Sequence, residues 1–205
     1  QGLKHSNVDL SDPSTNNIFY KDICLGIFYP NVLVSRTINR IQNYSNQDTV
    51  KELTIKLPKV IKTTSHLWQN LSLKGSLIDD KALDVLNEIF NCTKLRSLEL
   101  LYPIGIFHKN FTNSLSLNSA LEYLNLSNNY IGDPGIEILS KFLANHATLN
   151  VLNLASNRIT DLGLMKLTNI LPYTNLCSLN ISSNYICTRE YIKELAMAWR
   201  GLQLQ

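Results

Sequence analysis

The segment LEYLNLSNNYI (Leu121–Ile131) is followed by LNVLNLASNRI (Leu149–Ile159) and by LCSLNISSNYI (Leu176–Ile186). The successive offsets are 28 and 27 residues. Self-similarity at such a period means that one supersecondary unit is repeated and stacked. Within each copy an apolar–polar–apolar triplet (Leu124–Leu126, Leu152–Leu154, Leu179–Ile181) alternates as a short strand does, placing two apolar side chains on one face. Beyond the triplet the apolar residues recur at helical spacing: Ile138, Leu139, Phe142 and Leu143 in the first copy, Leu164, Leu167, Ile170 and Leu171 in the second. A strand–turn–helix unit of this size cannot bury its own apolar face, so several must stack.

The pattern LxxLxLxxNxI at 27–28 residues resembles the leucine-rich repeat, in the length range of its ribonuclease-inhibitor-like subclass. Gly135 and Gly163 stand four residues after Ile131 and Ile159, as that subclass has it. The resemblance implies an α/β solenoid, a short curved horseshoe with a parallel sheet on the concave side and helices on the convex side. Upstream the pattern decays. Trp68, Leu71, Leu73, Ile78, Ala82, Leu86 and Phe90 hold the expected places, with Ser76 where Asn is usual. The next copy, with Leu95, Leu98 and Leu100, has Pro103 at the Asn place. Val50–Ile55 reads as an earlier strand.

Asn129, Asn157 and Asn184 fall where strand passes into turn. A carboxamide carries two N–H donors and an acceptor, which suits it to backbone groups that a turn leaves unpaired. The resemblance implies that these three form a buried ladder between neighbouring repeats. In Gly132-Asp133-Pro134-Gly135 the expectation is that Asp133 caps the helix it opens, that Pro134 occupies its first position, and that glycine allows close approach to the sheet.

The repeats divide the chain into 1–48, 49–186 and 187–205. The first part, beginning with Gln1-Gly2 read as a tag remnant, is expected to be a mostly helical cap built on Ile23, Leu25, Ile27, Phe28, Val32, Leu33, Ile38 and Ile41. The last is expected to be a capping helix with Tyr191, Ile192, Leu195, Ala198 and Trp199 inward, and a tail.

Composition agrees with a solenoid and narrows the function. The 205 residues include 35 Leu and 24 Asn, enough apolar content to bury a core. A net charge of +3 with no basic cluster gives no nucleic-acid footprint. No apolar run reaches the roughly 18 residues of a membrane span. Cys24, Cys92, Cys177 and Cys187 fit no metal spacing and read as free thiols, pointing to a reducing, cytoplasmic setting. Six Asn-x-Ser/Thr sequons, at Asn43, Asn70, Asn91, Asn110, Asn125 and Asn180, are a by-product of abundant Asn on this reading. His5, His66, His108 and His146 are expected at the surface, and no nucleophile motif, metal set or cofactor box is present.

The sequence therefore points to a non-enzymatic module that binds a protein partner, with no cofactor, metal or small-molecule substrate. The resemblance implies that the concave face and the strand-to-helix loops make the contact. Residues between the paired core positions (Thr54, Ser72, Glu99, Asn125, Asn153, Asn180) and two places earlier (Glu52, Asn70, Ser97, Tyr123, Val151, Ser178) face outward. The residue after each ladder Asn is Tyr130, Arg158 or Tyr185, with Tyr102 and Tyr123 nearby. Tyr and Arg are enriched in binding hot spots, so these five are the candidate partner-binding residues. An effector delivered by an intracellular bacterium into host cytosol is one setting. A GTPase-activating protein, for which Arg36 and Arg40 match no motif, and a ubiquitin-ligase recognition subunit, with residues 14–45 as adaptor helices, are the alternatives.

Overall fold

The computed structural model describes residues 34, 38, 68–74, 80–92, 94–101 and 109–203. Five strands alternate with five helices there: β1 (Asn70–Lys74), α1 (Asp80–Cys92), β2 (Ser97–Leu101), α2 (Lys109–Leu115), β3 (Tyr123–Asn125), α3 (Gly132–Asn145), β4 (Val151–Asn153), α4 (Asp161–Ile170), β5 (Ser178–Asn180) and α5 (Arg189–Gln203). A 3₁₀ turn, Leu171–Tyr173, comes after α4. The strands form one parallel sheet in sequence order. Parallel neighbours need a crossover, and each helix between two strands supplies one.

Register obeys the repeat. Leu71, Leu98, Leu124, Leu152 and Leu179 are successive Cα partners across the sheet. Their side chains and those of Leu73, Leu100, Leu126 and Leu154 stack into one core with the helices, and Leu98 to Leu154 in this set are fully buried. Fully burying each such side chain contributes roughly 1.5–3 kcal/mol before the entropy of ordering is subtracted. In the last repeat Leu179, Ile181 and Ile186 are only half-buried, because β5 is the edge of the described sheet.

The helix stripes differ from expectation by one residue in places. In α3 the buried set is Gly135, Ile136, Leu139, Phe142 and Leu143, while Ile138 is half-exposed. In α4 Ile170 is half-buried, and Leu171 is buried in the 3₁₀ turn. In α5 Leu195 is buried and Tyr191, Ala198 and Trp199 are half-buried, but Ile192 is exposed. With no further described repeat packed against α5, part of its apolar stripe faces solvent.

Of the expected N-terminal cap, Val34 and Ile38 are helical and fully buried in the core. The rest of 1–48, the strand expected at Val50–Ile55, and Tyr102, Pro103 and Ser76 lie outside the described residues. At the other end Cys187 and Thr188 are still bonded to the preceding repeat, and α5 begins at Arg189.

Candidate functional site: the open sheet face and its turns

Each strand on the C-terminal side ends in the same turn. Asn125, Asn153 and Asn180, read from sequence as outward-facing polar residues, accept the backbone N–H of Ser127, Ala155 and Ser182 at 3.0 Å. They are Asx turns that bend the chain out of the strand. Asn125 is 8% exposed, so it contributes little open surface. The chain then takes left-handed backbone at Asn128, Ser156 and Ser183, and again at Tyr130 (φ 53°) and Arg158 (φ 59°).

The second Asn of each turn ties repeat to repeat. Asn157 Nδ2 donates to the carbonyls of Leu126 and Ala155, and its Oδ1 accepts the N–H of Asn129 and Ile131. Asn184 repeats the arrangement: Nδ2 donates to Leu154 and Ile181, and Oδ1 accepts from Asn157 and Ile159. Asn129 Nδ2 donates to Leu100 and Ser127, yet its buried Oδ1 has no partner among the described residues.

A second ladder, not anticipated from sequence, lies at the helix starts. Asp133 makes no cap to its own helix α3, whose N-cap position, Ile131, has no side-chain bond. Its carboxylate instead accepts the N–H of Thr160 and Gly163 and the hydroxyl of Thr160, all in the next repeat. Thr160 in turn accepts the Leu162 N–H, so two residues from two repeats cap α4 together. Asp161 does the same one repeat on, accepting from Cys187 N, Thr188 N and Thr188 Oγ1. These bonds hold the Asp161 carboxyl below the ordinary range, the Thr188 hydroxyl contributing most. Pro134 is the third helical residue of α3, not the first. At Gly163, the matching glycine of the next repeat, a Cβ would collide with Asp133 Oδ1 and lie 2.6 Å from Ile159 Cγ2.

Three of the five candidate binding residues share the outer rim. Arg158 Cζ lies 4.0 Å from the ring centroid of Tyr130, one repeat away. Tyr130 and Tyr185 are 60% and 61% exposed. Tyr185 belongs to the same column, but its N–H bonds Ile159 O and its φ is not positive. Tyr123 is apart from them, half-buried on the sheet face beside Glu99 and Asn125. Its phenol is pushed above the ordinary value, first by burial and then by the Glu99 charge. Glu99 and Ser72 were counted among outward residues without a role. Ser72 Oγ in fact donates to Glu99 Oε2 at 3.0 Å.

Other ionisable and polar groups are structural. Arg96–Glu122 and Lys166–Glu137 are exposed pairs, each 2.6 Å, linking consecutive repeats; such pairs are individually weak. His146, expected at the surface, is buried: Nε2 is 2.9 Å from Asn118 O and its ring packs on Phe142. His5, His66 and His108 lie outside the described residues. Among the described residues no group of His, Cys, Asp or Glu could hold a metal. Cys177 and Cys187 are exposed free thiols. No helix among the described residues is long and apolar enough to cross a membrane.

Comparison with known proteins adds to this geometry. Residues 117–140 and 145–167, the units of β3–α3 and β4–α4, match the family model described as Leucine Rich repeat. Among solved structures, one titled Leiomodin-1 Actin-Binding Site 2 (ABS2) is similar at 20% identity over 70% of each chain, with a TM-score of 0.45. The curated proteins contain no significant match.

Proposed function

We propose that this leucine-rich-repeat protein is a non-catalytic scaffold that docks a partner protein on the open face of its sheet and on the rim formed by the turns after the strands. The observation that carries the reading is the rim pair Tyr130 and Arg158. Both are exposed and stacked, and both sit in left-handed backbone. Such backbone costs a bulky residue about 1–2 kcal/mol that glycine would not incur. Strain of this kind concentrates where side-chain identity serves binding. Tyr185 extends the strip, and Tyr123 marks the sheet face beneath it. Tyr102 completes the candidate set from sequence.

The repeat ladders support the same conclusion from the other side. Asn125, Asn129, Asn153, Asn157, Asn180, Asn184, Asp133 and Asp161 each use a side-chain polar atom in a bond to backbone or to a neighbouring repeat. These polar groups build a surface rather than a reaction centre. The cytoplasm, or the host cytosol if the chain is an effector delivered by a bacterium, is the setting proposed for it. GTPase activation and ubiquitin-ligase recognition are the alternatives, and they rest on residues 14–45 rather than on the rim.

Proximity labelling in host cytosol, read by mass spectrometry, identifies the partner. Affinity of the purified pair is then measured for wild type and for Tyr130→Ala/Arg158→Ala/Tyr185→Ala. A loss of at least tenfold supports the rim as the contact. Unchanged affinity removes it.

A further inference from the structure

The rim is only one edge of the surface. The described strand positions that point away from the helices are Asn70, Ser72, Ser97, Glu99, Leu101, Tyr123, Asn125, Val151, Asn153, Ser178 and Asn180. Of the side chains described there, Glu99 alone is charged. It stands between the fully buried Leu98 and Leu100, in the middle of β2, and is itself half-buried. Its neighbours among the described side chains are neutral: Ser72, its Cα partner on β1, donates a hydroxyl to Oε2, and Asn125 is its Cα partner on β3. Tyr123 is its diagonal neighbour on the same face. No cation among the described side chains lies within ion-pair distance of it, whereas the exposed carboxylates of Glu122 and Glu137 each have one.

We infer that Glu99, with Tyr123 beside it, is a receptor for a lysine or arginine side chain carried by the docked protein segment. The inference rests on the scaffold reading above and gives it a chemistry. The carboxylate is held by a neutral donor, and one side of it faces water. A partner that covers the face removes that water. Covering an unpaired carboxylate is heavily unfavourable, so a neutral or acidic partner is rejected there. A cation brought to it converts that cost into a charge-assisted contact. The Tyr123 ring supplies an apolar wall for the stem of a Lys or Arg and a π-face for its head. The raised phenol pKa fits a Tyr123 hydroxyl that stays protonated beside the carboxylate. The surrounding Ser and Asn columns carry no charge, so one cation flanked by neutral residues is the fitting ligand.

The test is selection of a phage-displayed library of random 12-residue peptides on the whole chain, with affinities then measured for the enriched peptides made synthetically. The expected result is a recurrent Lys or Arg. Replacing it by Gln should weaken binding to wild type at least tenfold. Glu99→Gln, which keeps an acceptor for Ser72, should weaken the parent peptide as much. The two losses should not multiply when combined. Melting by circular dichroism checks that Glu99→Gln folds; should it not, the peptide-side substitution and Glu99→Asp decide the matter on a folded receptor. Enriched peptides without a recurrent cation, or bound within twofold by Glu99→Gln, overturn the receptor role while leaving the scaffold reading intact. Failure of any peptide to enrich counts against both.

Discussion

Asp133 and Gly163 are a fitted pair: the carboxylate of one repeat occupies the space that a side chain on the next repeat would need. Asp133 Oδ1 accepts the Gly163 N–H at 3.1 Å, and a Cβ at 163 would also press on Ile159. The glycine that the sequence pattern places four residues after Ile159 is thus required by a contact with another repeat. Gly163→Ala should destabilise the fold by about 1–3 kcal/mol, the usual range for overpacking. In an Asp133→Ala background the same change should cost less, because one of its two collisions is gone. Urea melts of the two single variants and the double variant measure the coupling; additivity would show that the two positions do not interact.

The Asn ladder makes an ordered prediction, because its three members are not equally bonded. Asn157 is fully buried and uses both ends of its carboxamide. Removing it strands the Leu126 carbonyl and the N–H groups of Asn129 and Ile131, whereas Ala155 O keeps the Asn128 N–H, and each buried orphan costs about 1–3 kcal/mol. Asn157→Ala should therefore cost at least about 3 kcal/mol. Among the described residues Asn129 uses only Nδ2, its Oδ1 having no partner there. Asn129→Ala should cost less, by about 1 kcal/mol or more. Chemical denaturation reads both. Equal losses would show that the orphaned Oδ1 of Asn129 is of no consequence.

The strands and the ladder Asn were legible in the sequence because both are local: two core side chains two residues apart, and an amide where the chain turns. The leucine register and five parallel strands come from those spacings. The Asp133–Thr160 and Asp161–Thr188 bonds were not legible in the same way, since donor and acceptor are 27 residues apart. Read within one repeat, Asp133 beside Pro134 looks like an ordinary cap. Aligning the repeats side by side offers the signal: an Asp four residues after Asn129 and again after Asn157. His146 misled for a related reason. Its partner, the Asn118 carbonyl, belongs to the previous repeat, so nothing near it in sequence marks it as buried. The adjacency of Tyr130 and Arg158 was readable from the 28-residue offset, but their left-handed backbone was not.

Among the described residues, two carboxylates have depressed pKa values and contribute to the acid behaviour. Asp161 is lowered first by the Thr188 hydroxyl, and Glu137 first by its hydrogen bond from Lys166. A carboxyl that ionises more readily folded than unfolded stabilises the fold above the unfolded pKa, near ~4, and that contribution is lost as pH falls through the folded value. Stability should accordingly drop below about pH 4. Asp161→Asn should flatten part of this drop relative to wild type. Melting temperatures measured from acid to neutral pH make the comparison. An unchanged slope in Asp161→Asn would mean that its bonds to Thr188 do not persist in solution.

Tyr130 and Arg158 separate binding from stability more sharply than truncation does. At φ 53° and 59° each residue bears a backbone cost that glycine escapes, and Arg158 makes no ion pair among the described residues to offset it. Glycine gives back part of that gain through the greater freedom of the unfolded chain. Arg158→Gly should therefore leave stability unchanged or raise it by up to about 1 kcal/mol. The same variant should bind the partner less tightly, because it removes the guanidinium and frees the Tyr130 ring stacked beneath it. A binding titration and a thermal melt on one preparation decide between two roles. Loss of affinity with stability kept identifies a residue whose strain is maintained for recognition; loss of stability with affinity kept identifies a residue that holds the turn together, and the rim is then not the contact surface.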